Sequence, residues 1–576
     1  MIGPGWFDRA DALRRLEDDG VDVLVVGGGI TGAGCALDAA SRGLRTGLVE
    51  RDDFASGTSS KSSKLVHGGL RYLQQGEVQL VYQALHERQR LLRNAPHLVK
   101  VLPFLIPMFT GKGGVMNPKL SRALGSAMWA YDLTGGLRIG KRHERISVDE
   151  AVAHMPTLRA DRLASSYLYY DAQADDARLT LALARTAAID HGAAVANRTR
   201  LVGLDKDPAG RVTGARVEAD GRQRTIRCSA VINAGGVWAD DVRALDEGTH
   251  PDSIRPAKGV HITVPWDLVR NDIAAVVPVP GDKRSVFVVP WGDLTYIGTT
   301  DTDYRGPVEE PQCTAEDVAY LLKAINGAIT GTITEADVVG SWAGLRPLVK
   351  SATTGRTADL SRRHRVAPSA SGVVTITGGK LTTYREMAAD TVDAVVEGFP
   401  TDLPRRARRS RTAKLRLRGA DGYDTLVVDA EERTLHLAQR YGGEARTVLA
   451  LADRDPALGR PLVTGLPYLR AEAVYAARHE MARTVDDVLS RRTRARLLAR
   501  DASDVAAEDV GALIAPELGL TAEQVAAQVA DYRRMLAAER AANAAPTDDQ
   551  VEPGPVATDP VPEADSPRLT EETRLA

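Results

Sequence analysis

Residues 21–50, VDVLVVGGGITGAGCALDAASRGLRTGLVE, contain the pattern that decides the fold. An apolar run ends in Gly27, Gly29 and Gly32 with GxGxxG spacing, an alanine-rich helical run follows, and a second apolar run ends at Glu50. In such a unit the glycines allow a tight turn and close packing, and the helix N-terminus faces a pyrophosphate. The pattern predicts a βαβ dinucleotide-binding unit, with Glu50 accepting hydrogen bonds from ribose hydroxyls. A glycine-rich turn that binds nothing is the alternative.

The residues after this unit favour FAD over NAD as the dinucleotide. The polar stretch 51–72, RDDFASGTSSKSSKLVHGGLRY, offers hydroxyl donors along an extended cofactor, although a solvated loop has the same composition. Its candidate cofactor contacts are Ser59, Ser60, Ser63 and Lys64. A second glycine turn, Gly378 and Gly379, precedes Lys380 and a helical run. That helix N-terminus could present partial positive charge to a reduced flavin, which makes Gly379 a further candidate contact.

Composition and charge exclude several classes of function. The chain has 576 residues, with 74 Lys and Arg against 76 Asp and Glu, so the net charge of −2 gives no general attraction to nucleic acid. The three cysteines lie far apart and show no metal-ligand spacing, so we expect neither a disulfide framework nor a metal site. The sequence shows no signal peptide and no apolar run of spanning length. We therefore expect a cytoplasmic protein that is soluble or peripheral to the membrane.

The pattern along the chain predicts five segments. Residues 1–20 form an N-terminal extension, and residues 21–400 carry the FAD-binding and substrate-binding lobes as discontinuous pieces. Residues 401–428 are arginine-rich and predict a basic linker, whereas the apolar spacing of residues 429–542 predicts a helical domain. Residues 543–576 are acidic and proline-rich, and we expect disorder because they cannot bury enough apolar surface. The predicted fold class is an α/β (α+β) flavin oxidoreductase, with a Rossmann-type lobe, a mixed-sheet substrate lobe and an all-helical C-terminal domain.

Cations in glycine- and serine-rich turns suggest a phosphate-bearing substrate. One charge-assisted hydrogen bond contributes only about 1.5 to 3 kcal/mol, so several cations must converge on such a group. The candidates are Arg71, Arg346, Arg362 and Lys380. An exposed surface cation is the alternative for each, and Arg346 stands out because it lies in the apolar segment SWAGLRPL.

Oxidation of an alcohol also requires a group that accepts the hydroxyl proton. His261, in KGVHITV, is the first candidate and His67 the second, because an imidazole titrates near neutral pH. A structural histidine is the alternative for either. Asp301 and Asp303 follow the predicted strand LTYIGTT, and we interpret them as turn or cofactor-domain groups rather than as a catalytic pair.

Several blocks occur in an order that closely resembles the FAD-dependent glycerol-3-phosphate dehydrogenases. They include SSKLVHGGLRYL, KGVHI, VVPWGDLTYIGTTDTDY, GSWAGLRPL and TGGKLTTYREMA, followed by the late helical segment AVYAARHEMARTVDDVLSRRTRARL. The resemblance covers roughly residues 15–540. The first and fifth of these blocks are more specific than the glycine fingerprint.

The resemblance implies oxidation of glycerol 3-phosphate to dihydroxyacetone phosphate by hydride transfer to FAD. It implies that the substrate is surrounded by Arg71, Tyr72, His261, Arg346, Arg362 and Lys380, of which we expect His261, Arg346 and Lys380 to be catalytic. It further implies a quinone as electron acceptor and peripheral association with the inner face of the cell membrane. For the latter, residues 97–109 either dip into a bilayer or form a buried strand. A homodimer is compatible with the sequence.

Three other functions remain open at this point. An oxidase would pass the electrons from the same substrate to oxygen, although the inserted segment of many such oxidases is missing here. An amine or amino-acid oxidase could use the same scaffold, because fold alone does not determine function. A non-catalytic flavin redox sensor needs no convergent cations, so the set around Arg346 argues against it.

Overall fold

The computed structural model describes residues 7–69, 77–109, 125–126, 128–129, 131–132, 139–350, 363–399 and 405–551. Two β-sheets and a set of helices make up this part of the chain. The strands of the first sheet are β1 (Val21–Val26), β2 (Thr46–Val49), β7 (Ala194–Ala196), β8 (Arg200–Lys206), β9 (Val212–Ala219), β10 (Arg222–Asn233), β17 (Arg365–Pro368) and β18 (Val373–Thr377). Those of the second are β3 (Leu65–Val66), β4 (Val99–Phe109), β5 (Glu144–Ile146), β6 (Leu163–Ala174), β11 (Ile254–Pro265), β12 (Ala274–Pro278), β13 (Ser285–Trp291), β14 (Leu294–Gly298), β15 (Thr302–Asp303) and β16 (Gly340–Val349).

The helices of the two lobes lie between these strands. They are α1 (Arg9–Asp18), α2 (Ile30–Ser41), α3 (Val78–Asn94), α4 (Val148–His154), α5 (Asp176–Arg185), α6 (Ala239–Glu247), α7 (Ala315–Ala328) and α8 (Tyr384–Glu397). The C-terminal helices are α9 (Tyr423–Leu426), α10 (Glu432–Tyr441), α11 (Ala445–Arg454), α12 (Arg470–His479), α13 (Ala495–Leu498), α14 (Arg500–Leu518) and α15 (Ala522–Ala544). The predicted class, with a Rossmann-type lobe, a mixed-sheet lobe and a helical C-terminal domain, is confirmed.

The first sheet is built around the predicted βαβ unit. Its order is β17-β18-β10-β1-β2-β7, and all of these neighbours are parallel except β17 and β18. Helix α2 can lie close to β1 because Gly32 has no side chain: a Cβ there would come within 1.8 Å of the Gly27 carbonyl oxygen. The alanine-rich face of α2 packs against α8, where a Cβ on Gly34 would lie 2.8 Å from the Tyr384 ring. Small residues therefore set the spacing of the layers.

The second sheet carries the predicted substrate lobe. Its order is β15-β11-β14-β13-β12-β4-β6-β3, with β16 on β11 and β5 on β6. Most pairs are antiparallel, and β11 and β16 run alongside each other from Ile254–Val349 to Thr263–Gly340. Helix α7 packs on this sheet in an apolar cluster with Val260, Ile262 and Val288. The long β11–β16 pair brings residues far apart in sequence into fixed register.

Buried ion pairs join the helical domain to the FAD-binding lobe. Asp53 is fully buried and accepts hydrogen bonds from Arg491 Nε at 2.6 Å and from Arg492 Nη1 at 2.6 Å. Burial alone would raise the pKa of Asp53, but Arg492 and Arg491 hold it well below its usual range. The carboxylate therefore stays ionised between the two guanidinium groups.

Three segments outside the predicted lobes or of ambiguous composition pack against the rest of the protein. Residues 405–428, predicted as a solvated linker, pack on the FAD-binding lobe through the buried Leu417, and Arg418 donates hydrogen bonds to Asp190 of that lobe and to Glu444 of the helical domain. Residues 97–109 contain the strand β4, which pairs with β6 and β12, so the bilayer-dipping alternative is wrong. In the N-terminal extension, α1 packs its Leu13 and Leu16 against the first sheet.

The proline-rich tail is described only as far as residue 551. Residues 543–551, which the composition assigns to a disordered tail, contact the substrate lobe through backbone and side-chain hydrogen bonds. These bonds compensate for the apolar surface that the segment lacks. Residues 552–576 lie outside the described residues.

Replacing Asp53 with asparagine is expected to destabilise the protein by about 3 to 5 kcal/mol, because two guanidinium groups stay buried beside a neutral amide. The measurement is the free energy of unfolding in urea, with the unfolding transition of the helical domain followed separately from that of the two lobes. Glu218→Gln is the control, since its partner Arg200 is exposed and the loss should not exceed about 1 kcal/mol. Equal effects of the two substitutions would contradict the role of Asp53.

Candidate dinucleotide and substrate site

A cleft of about 310 Å³ opens where the predicted fingerprint ends the first strand. The predicted cofactor residues on its wall are Gly27, Gly29, Glu50, Ser59 and Gly379. Ile30, the first residue of α2, donates its N–H to Ser59 Oγ at 2.9 Å, so this hydroxyl lies at the helix N-terminus. Gly27 has φ +107°, which an L side chain rarely adopts, and a Cβ there would lie 2.6 Å from the Ala234 carbonyl oxygen. The backbone therefore forms a bare cradle that suits a pyrophosphate.

Glu50 is placed at the edge of this cradle. Its carboxylate accepts hydrogen bonds from the Gly28 N–H at 2.5 Å and from the Asp52 N–H at 2.8 Å. Burial, with a smaller contribution from the nearby Asp52 charge, raises the pKa of Glu50 to about 7. A hydrogen-bond donor on a ligand would stabilise the ionised form and lower this pKa.

The other three predicted contacts after the fingerprint do not line this cleft. Lys64 is buried and donates to the Ser60 carbonyl oxygen at 3.0 Å and to Asp176 Oδ1 at 3.1 Å. Burial and the neighbouring Arg494 lower the pKa of Lys64 to about 8. Ser63 instead contacts the substrate lobe, where its Oγ lies within hydrogen-bonding distance of His261. A sequence pattern could not distinguish these buried residues from the residues that line the cleft, because both groups are polar and lie in one loop.

His261 lies on β11 in the second sheet, with its ring inside the protein. The ring stacks on Trp342 of β16 with centroids 4.7 Å apart and planes 8° from parallel. Gly298 on β14 leaves room for it, since a Cβ there would lie 2.1 Å from the imidazole. His261 Nε2 is 2.9 Å from Ser63 Oγ, whereas the buried Nδ1 has no hydrogen-bond partner among the described residues.

The electrostatic surroundings keep this histidine neutral. Burial above all, then the positive charges of Lys64 and Arg346, hold the pKa of His261 well below its usual range. A neutral imidazole whose Nε2–H donates to Ser63 carries its lone pair on Nδ1. Such a nitrogen can accept a proton or a hydrogen bond from a hydroxyl group.

Arg346 lies on the same face of the sheet as His261. A Cβ on Gly259, two residues before His261, would lie 2.5 Å from the Arg346 guanidinium, so the side chain crosses the strand above this glycine. Asp301 Oδ1 accepts from Arg346 Nη1 at 3.1 Å, and Thr299 Oγ1 lies 3.2 Å from Nη2. The Arg346 side chain is 21% exposed.

Asp301 makes a contact that the sequence did not indicate. It lies between β14 and β15, and its carboxylate accepts a hydrogen bond from Arg346. The available signal was its position directly after the predicted strand LTYIGTT. Asp303 has a different role, because it pairs with Arg255 near the sheet edge.

Gly379 and Lys380 approach the site from the FAD-binding lobe. Gly379 has φ +82°, and a Cβ there would lie 2.4 Å from Met387 Sδ, so the turn requires glycine. Lys380 lines the cleft just before α8, together with Pro347, the neighbour of Arg346 on β16. The cleft therefore reaches from the fingerprint to the strand that carries Arg346.

The remaining predicted residues divide into two groups. His67 lies near this junction, where its N–H donates to Thr382 Oγ1 at 3.1 Å and its ring meets Phe287 edge-on. Arg71, Tyr72 and Arg362 lie outside the described residues. The chain leading to Arg71 is held by Asp171, which accepts from the Gly68 N–H at 3.2 Å and from Arg88 at 2.6 Å.

Two further properties concern metals and membranes. Within the described ranges, no group of His, Cys, Asp or Glu is arranged to hold a metal ion. In the same ranges, no helix is long and apolar enough to cross a bilayer.

Comparison with known proteins identifies the family. The profile of the FAD dependent oxidoreductases matches residues 22–385, and that of the C-terminal domain of alpha-glycerophosphate oxidase matches residues 410–525. Glycerol-3-phosphate dehydrogenase 2 of Mycobacterium tuberculosis is 41% identical over 566 residues, which cover 95% of this chain and 94% of that protein. The mitochondrial glycerol-3-phosphate dehydrogenase of Mus musculus is 40% identical over 525 residues, covering 86% of this chain and 70% of the other.

A solved structure agrees with these matches. The glycerol-3-phosphate dehydrogenase from Bacillus halodurans, crystallised with FAD, superposes with a TM-score of 0.73 and 31% identity over 94% of this chain and 99% of the other. The glycine cradle, the acidic residue beside it and the helical C-terminal domain are consistent with this relationship. The chain belongs to the family of FAD-dependent glycerol-3-phosphate dehydrogenases.

Proposed function

We propose that this protein oxidises sn-glycerol 3-phosphate to dihydroxyacetone phosphate and passes the electrons to a quinone. The observation that carries the proposal is the position of Arg346, which Asp301 orients on the sheet face that also bears His261. Pro347, next to Arg346, lines the dinucleotide cleft, so a substrate held there would lie beside the cofactor. The names of the relatives support the same substrate.

The residues of the cleft fit FAD. Gly27 and Gly32 have no room for a side chain, and the turn between them leads into the N-terminus of α2, which favours a pyrophosphate. Glu50 can accept hydrogen bonds from ribose hydroxyls, and the helix that follows Gly379 and Lys380 can face the ring system. Bound FAD supplies the acceptor for the hydride that leaves the substrate carbon.

Arg346 and Lys380 would hold the phosphate group, and Arg362 would add a third cation. A guanidinium can donate two parallel hydrogen bonds to phosphate oxygens, whereas lysine acts as a point charge. Because Asp301 already bonds Arg346, the guanidinium is oriented before the substrate arrives. Arg71 and Tyr72 would complete the substrate contacts from the segment that follows Gly69.

His261 would accept the substrate's hydroxyl proton at Nδ1. This nitrogen is buried and has no partner among the described residues, and a buried polar atom of this kind is costly unless a ligand satisfies it. The low pKa makes His261 a weak base before substrate binds. A phosphate dianion near Arg346 would offset the positive charges that depress this pKa.

The electron acceptor and cellular location complete the proposal. The matched relatives are named dehydrogenases, which favours a quinone over oxygen as acceptor. Reaction with a membrane quinone would require peripheral contact with the inner face of the cell membrane. A homodimer is compatible with this arrangement.

Anaerobic addition of sn-glycerol 3-phosphate to the purified protein is expected to bleach the flavin absorbance. A quinone analogue should restore the absorbance rapidly and oxygen slowly, and fast reoxidation by oxygen would instead indicate an oxidase. Glycine serves as the control for an amino-acid oxidase. If FAD is present but glycerol 3-phosphate causes no bleaching, the proposed substrate is wrong and a redox sensor becomes the better description.

Substitution of Arg346 by alanine should lower kcat/KM for glycerol 3-phosphate roughly ten- to a hundredfold, which corresponds to about 1.5 to 3 kcal/mol of lost binding. FAD content should stay unchanged, because the guanidinium bonds groups of the second sheet. Arg255→Ala is the matched control, since Arg255 lies on the adjacent strand and pairs with the exposed Asp303. Unchanged kinetics in Arg346→Ala would remove this residue from the site.

FAD affinity is expected to decrease as the pH falls below the Glu50 pKa of about 7. The ionised carboxylate is the form that accepts ribose hydrogen bonds, so protonation competes with binding, by at most about tenfold per pH unit. Titration of the apoprotein with FAD between about pH 6 and pH 8 measures this effect.

Two variants make the test specific for this carboxyl group. Glu50→Gln should bind FAD more weakly and with little pH dependence in this range. Asp52→Asn should move the midpoint to lower pH, because the Asp52 charge helps to raise the Glu50 pKa. A pH dependence that persists in Glu50→Gln would show that another group controls FAD affinity.

A further inference from the structure

The chain that follows α15 returns to the substrate lobe. We call residues 545–551 the C-terminal strap. The Ala545 carbonyl oxygen accepts the N–H of Ala315 at 2.9 Å, and the Pro546 carbonyl oxygen accepts that of Glu316 at 3.3 Å. Amide groups in the first turn of a helix have no partner within the helix. The strap therefore completes the N-terminal end of α7, which packs on the substrate sheet.

A buried lysine joins the strap to β11. Lys258 Nζ donates to Asp317 Oδ2 at 2.6 Å and to Asp548 Oδ1 at 2.5 Å, and the lysine side chain is only 1% exposed. A buried ammonium group requires compensating charge and hydrogen bonds. Asp548 of the strap and Asp317 of α7 are the two carboxylates that compensate the charge of Lys258.

The same lysine lies directly beside the proposed phosphate-binding group. The Lys258 carbonyl oxygen is 3.4 Å from Arg346 Nη1, and the next residue, Gly259, forms the floor beneath the guanidinium. In the β11–β16 register, Ala257 opposes Arg346. A shift of the Lys258 backbone would therefore displace both an acceptor and the floor of Arg346.

We propose that the C-terminal strap positions Arg346 for substrate binding, with Asp548 as a positioning residue that acts through Lys258. The inference rests on the proposed function of Arg346 and adds a role for a segment whose composition predicts disorder.

The test compares Asp548→Asn with Asp549→Asn in the full-length enzyme with FAD. The two substitutions are at adjacent positions and each removes one negative charge. Asp549 is exposed, whereas Asp548 contacts Lys258. We expect Asp548→Asn to raise KM for glycerol 3-phosphate about three- to tenfold, with kcat changed less than about twofold, and Asp549→Asn to match the wild type. Asp548→Glu should restore most of the affinity, because it keeps the carboxylate.

A second measurement does not depend on catalysis. Hydrogen–deuterium exchange in Asp548→Asn should become faster at the first-turn amides of α7 and in β11 around Lys258, while the first sheet keeps its exchange rates. An unchanged KM, or an equal fall of kcat in both asparagine variants, would overturn the proposal. If glycerol 3-phosphate does not reduce the wild-type flavin, the proposed function is wrong. The positioning role of the strap is tested separately by the exchange experiment, and unchanged exchange in β11 of Asp548→Asn would refute it.

Discussion

The buried carboxylate of Asp53 and the two arginines around it hold the arrangement on which the site depends. Asp53 lies in the segment between Glu50 and Lys64, and Arg491 and Arg492 reach it from the helical domain. The same segment places Glu50 and Ser59 at the dinucleotide cleft and Ser63 at the His261 ring. Because an ionised group is costly to bury without partners, the Asp53 carboxylate requires the arginines of the helical domain. Docking of the helical domain thus organises a loop that serves both lobes.

The substrate side of the site is organised by the sheet rather than by a loop. The antiparallel register of β11, β14 and β16 brings His261, Gly298 and Trp342 together. Glycines at 259 and 298 leave the space that the Arg346 and His261 side chains occupy. Burial, with the nearby positive charges, lowers the pKa of His261, and Asp301 orients the arginine. A rigid scaffold of this kind suits a reaction that needs a hydroxyl group and a phosphate held at fixed positions.

Much of this could be predicted from the sequence, although the supporting residues could not. The fingerprint at Gly27, the acidic residue at 50 and the helical C-terminal region have local patterns, and the structure contains them. The roles of Asp301 and Lys64 depend on partners that are distant in sequence, namely Arg346 and Asp176. The buried strand at 97–109 was ambiguous because a short apolar run is compatible with either a core strand or a membrane contact.

The sequence by itself determined the βαβ unit and the dinucleotide class, because glycine spacing and residue chemistry are local properties. Only the tertiary structure decided which polar residues of the 51–69 stretch line the cleft and which lie behind it. It also decided that residues 545–551 return to Lys258, a contact between positions nearly three hundred residues apart. Long-range pairing of buried charges and strand register depend on the whole fold, so composition and periodicity do not reveal them.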